Sequence, residues 1–258
     1  MKLSVVIPAR NEEGSVAQTV SALQHTLQAA AIPCEILVVD DGSTDTTAAI
    51  VRGLAAAAPE IRLVQNRGRH GFGMAVRCGL AATTGEAVAI VMADGSDSPE
   101  DVVQCYHRLC EGADCVFGSR FMRGSKVHDY PHHKLILNRL ANWFIRILFG
   151  VPFNDFTNAF KLYRREVLEG LQPLISPHFN LTVEMPLKAI TRGYSFAVLP
   201  ISWTNRQAGV SKLKIKEMGS RYLFIVLYVW LEKQLAQGDY HRRHTGEQQQ
   251  VGLNIHHV

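Results

Sequence analysis

The first 120 residues alternate short, almost unbroken apolar runs with helix-patterned stretches, a rhythm that few folds accommodate. Residues 3–8, 35–40, 61–65, 87–92 and 115–118 read as strands, rich in aliphatic and β-branched side chains and bounded by polar turns. Residues 12–31, 73–83 and 99–110 read as helices, the last with Pro99 near its start. Strands that are apolar on both faces must be covered on both faces. The pattern therefore predicts an α/β fold with a mainly parallel sheet flanked by helices. In such sheets ligands collect beyond the carboxyl ends of the strands. The polar clusters fall at those ends: Arg10, Asn11 and Glu12 after the first, Asp40 and Asp41 after the second, Asp94 after the fourth and Arg120 after the fifth.

Beyond residue 120 the alternation stops. Residues 121–134 are polar and rich in Arg, Lys and His, and they read as a loop beside the strand ends. Residues 134–149 then form an amphipathic helix pattern, with Arg139, Asn142 and Arg146 on one stripe and Leu140, Trp143, Phe144, Ile147 and Leu148 facing away. A second, very apolar helix covers 222–231, approached by Lys212, Lys214, Lys216 and Arg221. Cations beside exposed apolar surface suit a headgroup boundary, although the first helix would also serve packed on the sheet. No run reaches the roughly 20 apolar residues that span a bilayer. The expectation is a peripheral protein on the cytoplasmic face of a membrane, with 1–235 as one domain (1–120 carrying the polar strand ends, 121–235 facing the membrane) and 236–258 as a solvated tail.

With 47% hydrophobic and 19% charged residues the chain is globular, and a formal charge of +4 favours anionic partners without forming a nucleic-acid footprint. Five cysteines with no CxxC spacing read as reduced thiols in a cytosolic protein, and the opening directly on a strand leaves no room for a signal peptide.

The carboxylates at the strand ends, Asp40 with Asp41 and Asp94 with Asp97, suit a divalent metal that neutralises a diphosphate together with Arg or Lys. For Asp41, Ser43 and Asp45 plain helix capping is an equal reading.

VVIPARNEE, VVDDGSTD, MADGSDSPED, FGSRF, DFTNAFKLYRREVL and GVSKLKIKEM follow one another in that order. Together they resemble the family 2 glycosyltransferases of GT-A fold, and within them the polyprenyl-phosphate (dolichyl-phosphate) hexose synthases, over about residues 3–235. That likeness implies that 1–120 is the nucleotide-sugar-binding half and 121–235 the acceptor- and membrane-facing half of one transferase domain. The resemblance implies that Pro8, Arg10, Asn11 and Glu12 hold base and ribose, with Asp40 reading the uracil or guanine edge, Asp41 among the nucleotide-sugar-binding residues, and Asp94 as the metal ligand of an Asp-x-Asp motif. Here Met92 stands at the first position of that motif, so Asp94 must share Mg²⁺ or Mn²⁺ with the diphosphate and water, and Asp97 and Glu184 are further candidates. Arg120, Arg206, Ser211 and Lys212 match the anion-binding positions for the diphosphate and acceptor phosphate. Asp155 is either a sugar- or acceptor-positioning carboxylate or a structural one, because an ionised lipid phosphate needs no obligate base.

The implied activity is inverting transfer of a hexose, mannose from GDP-mannose foremost, from a nucleotide-diphosphate sugar to polyprenyl phosphate at the membrane surface. UDP-glucose or another UDP-sugar, and a soluble hydroxyl acceptor, stand as alternatives. A noncatalytic nucleotide-sugar-binding protein is the reading furthest from these, set against the retained Asp40, Asp94, Arg120, Ser211 and Lys212.

Overall fold

The computed structural model describes residues 1–205 and 215–242. Its first half runs β1 (Leu3–Ala9), α1 (Val16–Ala29), β2 (Cys34–Asp40), α2 (Thr47–Ala57), β3 (Ile61–Gln65), α3 (Phe72–Ala82), β4 (Ala87–Ile90), α4 (Pro99–Cys110) and β5 (Cys115–Ser119). The second half adds β6 (Lys126–His128), α5 (His132–Phe149), β7 (Lys161–Arg164), α6 (Arg165–Gly170), α7 (Leu181–Thr191), β8 (Phe196–Pro200), β9 (Ser202–Thr204) and α8 (Ile215–Leu235). One seven-stranded sheet takes the order β3-β2-β1-β4-β7-β5-β8, while β6 and β9 pair apart from it. Only β7 runs antiparallel to its neighbours, entering between β4 and β5.

Successive residues of a strand point to opposite faces, so both sets of β1 side chains are covered. Val5 and Ile7 join Val20, Leu23 and Leu27 of α1 and Val102 of α4 on one face. Val6 joins Val76 of α3, Val183 of α7 and Ile225 and Val229 of α8 on the other. Full burial of each such side chain is worth about 1.5–3 kcal/mol. The sheet is therefore fixed from both sides, and its carboxyl-end loops are free to carry chemistry.

The loops after β1 and β2 lock together. Thr44 N–H donates to Asn11 Oδ1 at 2.8 Å and Asn11 N–H to Ser43 Oγ at 3.0 Å, with Asn11 in the left-handed region at φ 53°. Just before the N-cap of α2, Thr46, Asp45 Oδ1 accepts from Thr47 N–H at 3.0 Å and from the Thr47 hydroxyl at 2.6 Å.

Glu35 ties β2 to the β1 and β4 side of the sheet. Its carboxylate accepts from Ser4 Oγ at 2.6 Å, Thr84 N–H at 2.6 Å and Arg62 Nη1 at 2.8 Å. Burial alone would raise its pKa, but these donors outweigh burial and bring it down to about 2. A depressed carboxylate stabilises the fold above its unfolded pKa, near 4.3, and loses that contribution as pH falls toward 2. Glu35→Gln should therefore lower stability at neutral pH by about 2 kcal/mol. It should also flatten the acid limb of a urea-unfolding series taken from neutral pH to about pH 3. An unchanged acid limb would show that Glu35 is not the group responsible.

At the end of the described chain residues 237–241 are exposed, and Arg242 ties the segment down. Residues 236–242 turn back onto the body, where Arg242 N–H donates to Arg192 O at 2.8 Å and Arg242 Nη1 pairs with Asp114 at 2.7 Å. A half-exposed cation has found a buried carboxylate, which is enough to hold a short polar segment. Residues 243–258 lie outside the described structure.

Candidate active site

The strand ends open onto one cavity of about 800 Å³. Its polar wall carries Pro8 from the end of β1, Arg10 and Glu12 from the loop after it, Asp41 from just beyond β2, Asp94 and Asp97 from the loop after β4, and Arg120 from just beyond β5. Four of the five predicted strand ends thus meet in one place. Asn11, Asp40, Asp155 and Glu184 do not line it. Asn11 is engaged with Thr44, and Asp40 Oδ1 accepts from Ser43 N–H at 3.0 Å, so both serve the architecture of the rim.

Asp41 is fixed from the segment after β3. Asn66 Nδ2 donates to Asp41 Oδ1 at 2.6 Å, Gly71 N–H to Oδ2 at 2.8 Å, and His70 Nδ1 lies 3.2 Å from Oδ1. Gly71 takes φ 142°, and a Cβ there would come within 2.5 Å of Pro177 O, so only glycine fits this close approach. Phe72 follows and stacks on Phe179, with ring centroids 4.3 Å apart, on the cavity wall. Sequence reasoning missed this segment. Its signal is the Asn66 to Gly73 run of polar residues and glycines between a strand and a helix.

After β4, Met92 lines the cavity beside Asp94. Asp94 Oδ1 accepts from Ser96 N–H at 3.1 Å, and Asp97 Oδ2 accepts from Met92 N–H at 2.9 Å. The other oxygen of Asp97 is buried without a hydrogen-bond partner among the described residues. Burial, with Asp94 and Asp101 as like charges nearby, pushes its carboxyl up to about 7. Among the described residues no group of three or more His, Cys, Asp or Glu could hold a metal unaided. A divalent cation here would need oxygens from a bound diphosphate, which fits a nucleotide chelate rather than an all-protein cage.

Asp155 is not a free base. Arg120 Nε and Nη2 grip its two oxygens at 2.8 and 2.7 Å, and Arg120 N–H adds a third bond at 2.9 Å. The carboxylate is fully buried. The guanidinium is enclosed by the rings of Phe121, Tyr130 and Trp203, whose centroids lie 5.3, 5.4 and 5.7 Å from Cζ. Burial opposes the charge on Arg120, but Asp155 outweighs it and holds the group firmly cationic. Lys161, at the start of β7, is buried beneath this pair and donates to Phe156 O at 3.1 Å and to Asn158 O. Burial brings its pKa down to about 7.

Glu184 sits in α7, where it pairs with Lys188 at 2.8 Å and accepts from the Ile175 and Ser176 N–H groups at 2.9 and 2.8 Å. Both side chains of that pair are fully buried, and Glu184 does not line the cavity. Arg206, Ser211 and Lys212 lie outside the described residues.

Opposite the polar wall the cavity runs between α5 and α8, lined by Leu137, Ala141, Phe144, Leu223 and Val226, with Lys134, Asn138 and Arg221 among them. The helix α5 turns differently from the expected stripes. Asn142 is buried with Ile145 and Phe149, and its Oδ1 accepts from Phe156 N–H at 2.6 Å. Arg139 and Arg146 stay exposed, as do Ile136, Leu140, Trp143 and Ile147, at 57–62%. On α8, Leu223, Phe224, Leu227, Leu231 and Leu235 are exposed as well. Two neighbouring helices thus present a large apolar face beside the cavity mouth, which monomeric soluble proteins rarely do. No described helix is long and apolar enough to cross a membrane.

Among proteins of known name, the chain is 35% identical to polyprenol monophosphomannose synthase of Mycolicibacterium smegmatis over 215 residues, 81% of this chain and 80% of that one. It is 30% identical to dolichol-phosphate mannosyltransferase of Pyrococcus furiosus over 222 residues, 84% of this chain but only 60% of that longer protein. Glucosyl-3-phosphoglycerate synthase of Mycobacterium tuberculosis, solved with phosphoglyceric acid, superposes with a TM-score of 0.66 at 21% identity, covering 90% of this chain and 79% of that one. The same enzyme with Mn²⁺ and UDP-glucose gives 0.66 at 20% identity, covering 90% and 78%. That likeness places the mixed α/β sheet among GT-A folds. The model of glycosyl transferase family 2 matches residues 4–171, well over half of the chain, and the chain belongs to that family.

Proposed function

We propose that this protein transfers mannose from GDP-mannose to a polyprenyl phosphate at a membrane surface. The observation that carries the reading is the single cavity joining a carboxylate-rich wall at the strand ends to an apolar mouth between two helices with exposed apolar faces. A soluble acceptor would need no such mouth. The two relatives named for mannosyl transfer to polyprenol or dolichol phosphate support the same acceptor and sugar.

In this reading Pro8, Arg10, Glu12 and Asp41 hold the nucleoside, with Asp41 reading the base edge. Asp94, with Asp97 as a second carboxylate beside it, would hold Mg²⁺ or Mn²⁺ together with the bound diphosphate. Such an ion neutralises charge on the departing diphosphate. An oxygen of the lipid phosphate attacks the anomeric carbon from the face opposite the nucleotide. The new C–O bond forms as the bond to the β-phosphate breaks, the configuration inverts and the nucleoside diphosphate leaves. The attacking phosphate is already largely ionised near neutrality, so no side chain must take a proton.

Arg120 receives charge at this point. Its Nε and Nη2 are held by Asp155, leaving Nη1 without a hydrogen-bond partner among the described residues. The ring cage and the Asp155 clamp fix that remaining donor before substrate arrives, and such preorganisation is what electrostatic catalysis needs. Arg206, Ser211 and Lys212 are assigned to the acceptor phosphate with it. Residues 1–235 act as one transferase unit, peripheral on the cytoplasmic face.

Transfer from labelled GDP-mannose, UDP-glucose and UDP-N-acetylglucosamine to a short polyprenyl phosphate, with Mn²⁺ or with chelator, tests this. Chelator-sensitive label in the lipid phase from GDP-mannose alone is the expected result. Label from UDP-glucose instead would replace the donor and keep the acceptor. Tight donor binding with no labelled lipid would overturn the acceptor.

A further inference from the structure

Outside the catalytic cavity three side chains bury polar atoms that bond nothing among the described residues, Tyr163 Oη, Ser176 Oγ and Asn180 Oδ1, and of these Ser176 and Asn180 share one cavity. Ser176 and Asn180 are 1% and 4% exposed. Native chains leave few buried polar groups unpaired, and each one that persists calls for a cause. Both residues line a second cavity of about 330 Å³, closed by Ile175, Ser220, Arg221 and Phe224. That volume lies at the lower end of the range of small-ligand pockets. The chemistry of the lining is graded. Ser176 and Asn180 give it a neutral polar floor, Arg221 a cationic wall, and Ile175 and Phe224 an apolar rim exposed at 37% and 61%. Phe224 belongs to the exposed apolar face of α8, so the cavity opens where that face would meet a bilayer.

We propose that this cavity holds the headgroup of an anionic membrane phospholipid that carries free hydroxyls, of the phosphoglycerol kind. Asn180 Oδ1 only accepts, so its partner must bring a donor that a bare phosphodiester lacks. An ammonium headgroup would supply donors but would face the Arg221 charge, whereas a hydroxyl donates to Asn180 and accepts from Ser176 while the phosphodiester lies toward Arg221. The acyl chains then run along Ile175 and Phe224. The site would anchor the protein at the membrane and set the height of the catalytic mouth above it. This inference rests on the membrane placement proposed above, but not on the donor, the sugar or the acceptor.

The test compares the full chain on phosphatidylcholine vesicles doped equally with phosphatidylglycerol, phosphatidylmethanol or phosphatidylethanolamine, by flotation. Phosphatidylmethanol has the charge of phosphatidylglycerol without its hydroxyls. The wild type should bind phosphatidylglycerol vesicles about fivefold more tightly than phosphatidylmethanol vesicles, the value of one net hydrogen bond. Phosphatidylethanolamine should bind more weakly than either. The pair Ser176→Ala with Asn180→Leu should bring the two anionic lipids level without abolishing binding to both. Ser220→Trp, at an exposed position on the cavity wall, should do the same by filling the site, and it decides the matter if the pair fails to fold. Equal binding of the two anionic lipids by the wild type, as expected if water alone fills the cavity, overturns the proposal. So does a preference that survives both variants. Transfer to a detergent-dispersed short acceptor is read separately, so the loss of either result leaves the other interpretable.

Discussion

Asp94→Asn should lower turnover by about 10²–10³-fold, with binding of the free nucleoside diphosphate in chelator almost unchanged. The change is nearly isosteric, so Ser96 N–H keeps an acceptor and the loop keeps its shape. What disappears is a negative charge positioned where a cation must compensate the leaving diphosphate. Removing one preorganised charge-stabilising group commonly raises a barrier by about 3–4 kcal/mol, which is two to three powers of ten at about 1.4 kcal/mol each. The half-saturating Mn²⁺ concentration should rise with the loss of rate. Asp97→Asn should raise it too, by about tenfold or less, since its other oxygen is already committed to Met92 N–H. Met92→Asp should move it the opposite way by adding a carboxylate beside Asp94 on the cavity wall. Turnover in Asp94→Asn within threefold of the wild type, at every metal concentration, would sink the role given to Asp94.

Which parts of this site can be read from the chain follows from how local the signals are. The strands β1 to β5 and the helix α4 announce themselves through continuous apolar runs and a proline-led start, and the strand ends name the rim. Position is less legible than membership. Asp40 and Asp41 are adjacent in sequence, yet only the second lines the cavity, because Ser43 N–H draws the first into its own turn. Asp155 looks like a candidate because an acidic residue in a mixed segment has no visible partner. Arg120 is identified as the partner of Asp155 only once β7 has entered between β4 and β5. Lys188, by contrast, stands four residues beyond Glu184 on the same helix and is legible as its partner; what the chain does not show is that the pair is fully buried. The strand β7 is itself hidden because it begins with Lys161, a cation that becomes buried against backbone carbonyls. On α5 the hydrophobic pattern identifies an amphipathic helix but not which stripe faces inward. Asn142 goes inside because it can satisfy Phe156 N–H, and the aromatic and aliphatic residues are left outside.

The partnership of Arg120 with Asp155 separates structure from chemistry in a way that single substitutions do not. Asp155→Ala leaves a buried guanidinium without its counter-ion and should destabilise the protein by about 3–5 kcal/mol. For a chain of this size that is a fall in melting temperature on the order of 10 °C. The double change Arg120→Met with Asp155→Leu removes both charges from the same buried site. Replacing such a pair by apolar residues of similar volume is often neutral or stabilising, so most of the lost stability should return. Activity should not return, because the Nη1 donor directed at the phosphates has gone with the arginine. A stable but inactive double variant, with activity down at least 10³-fold, is the expected result. If the double variant were as unstable as Asp155→Ala, loss of packing would explain both, and the catalytic assignment of Arg120 would have no support from it. The pH profile supplies the complementary test. With Asp155 locked to Arg120, the rate should rise through the second ionisation of the acceptor phosphate, near pH 6. The same rise should be seen in whatever activity Asp155→Asn retains. Were Asp155 the base, that variant would lose the rise; its persistence, in Asp97→Asn as well, would place the titrating group outside both carboxylates, as a lipid phosphate acceptor requires.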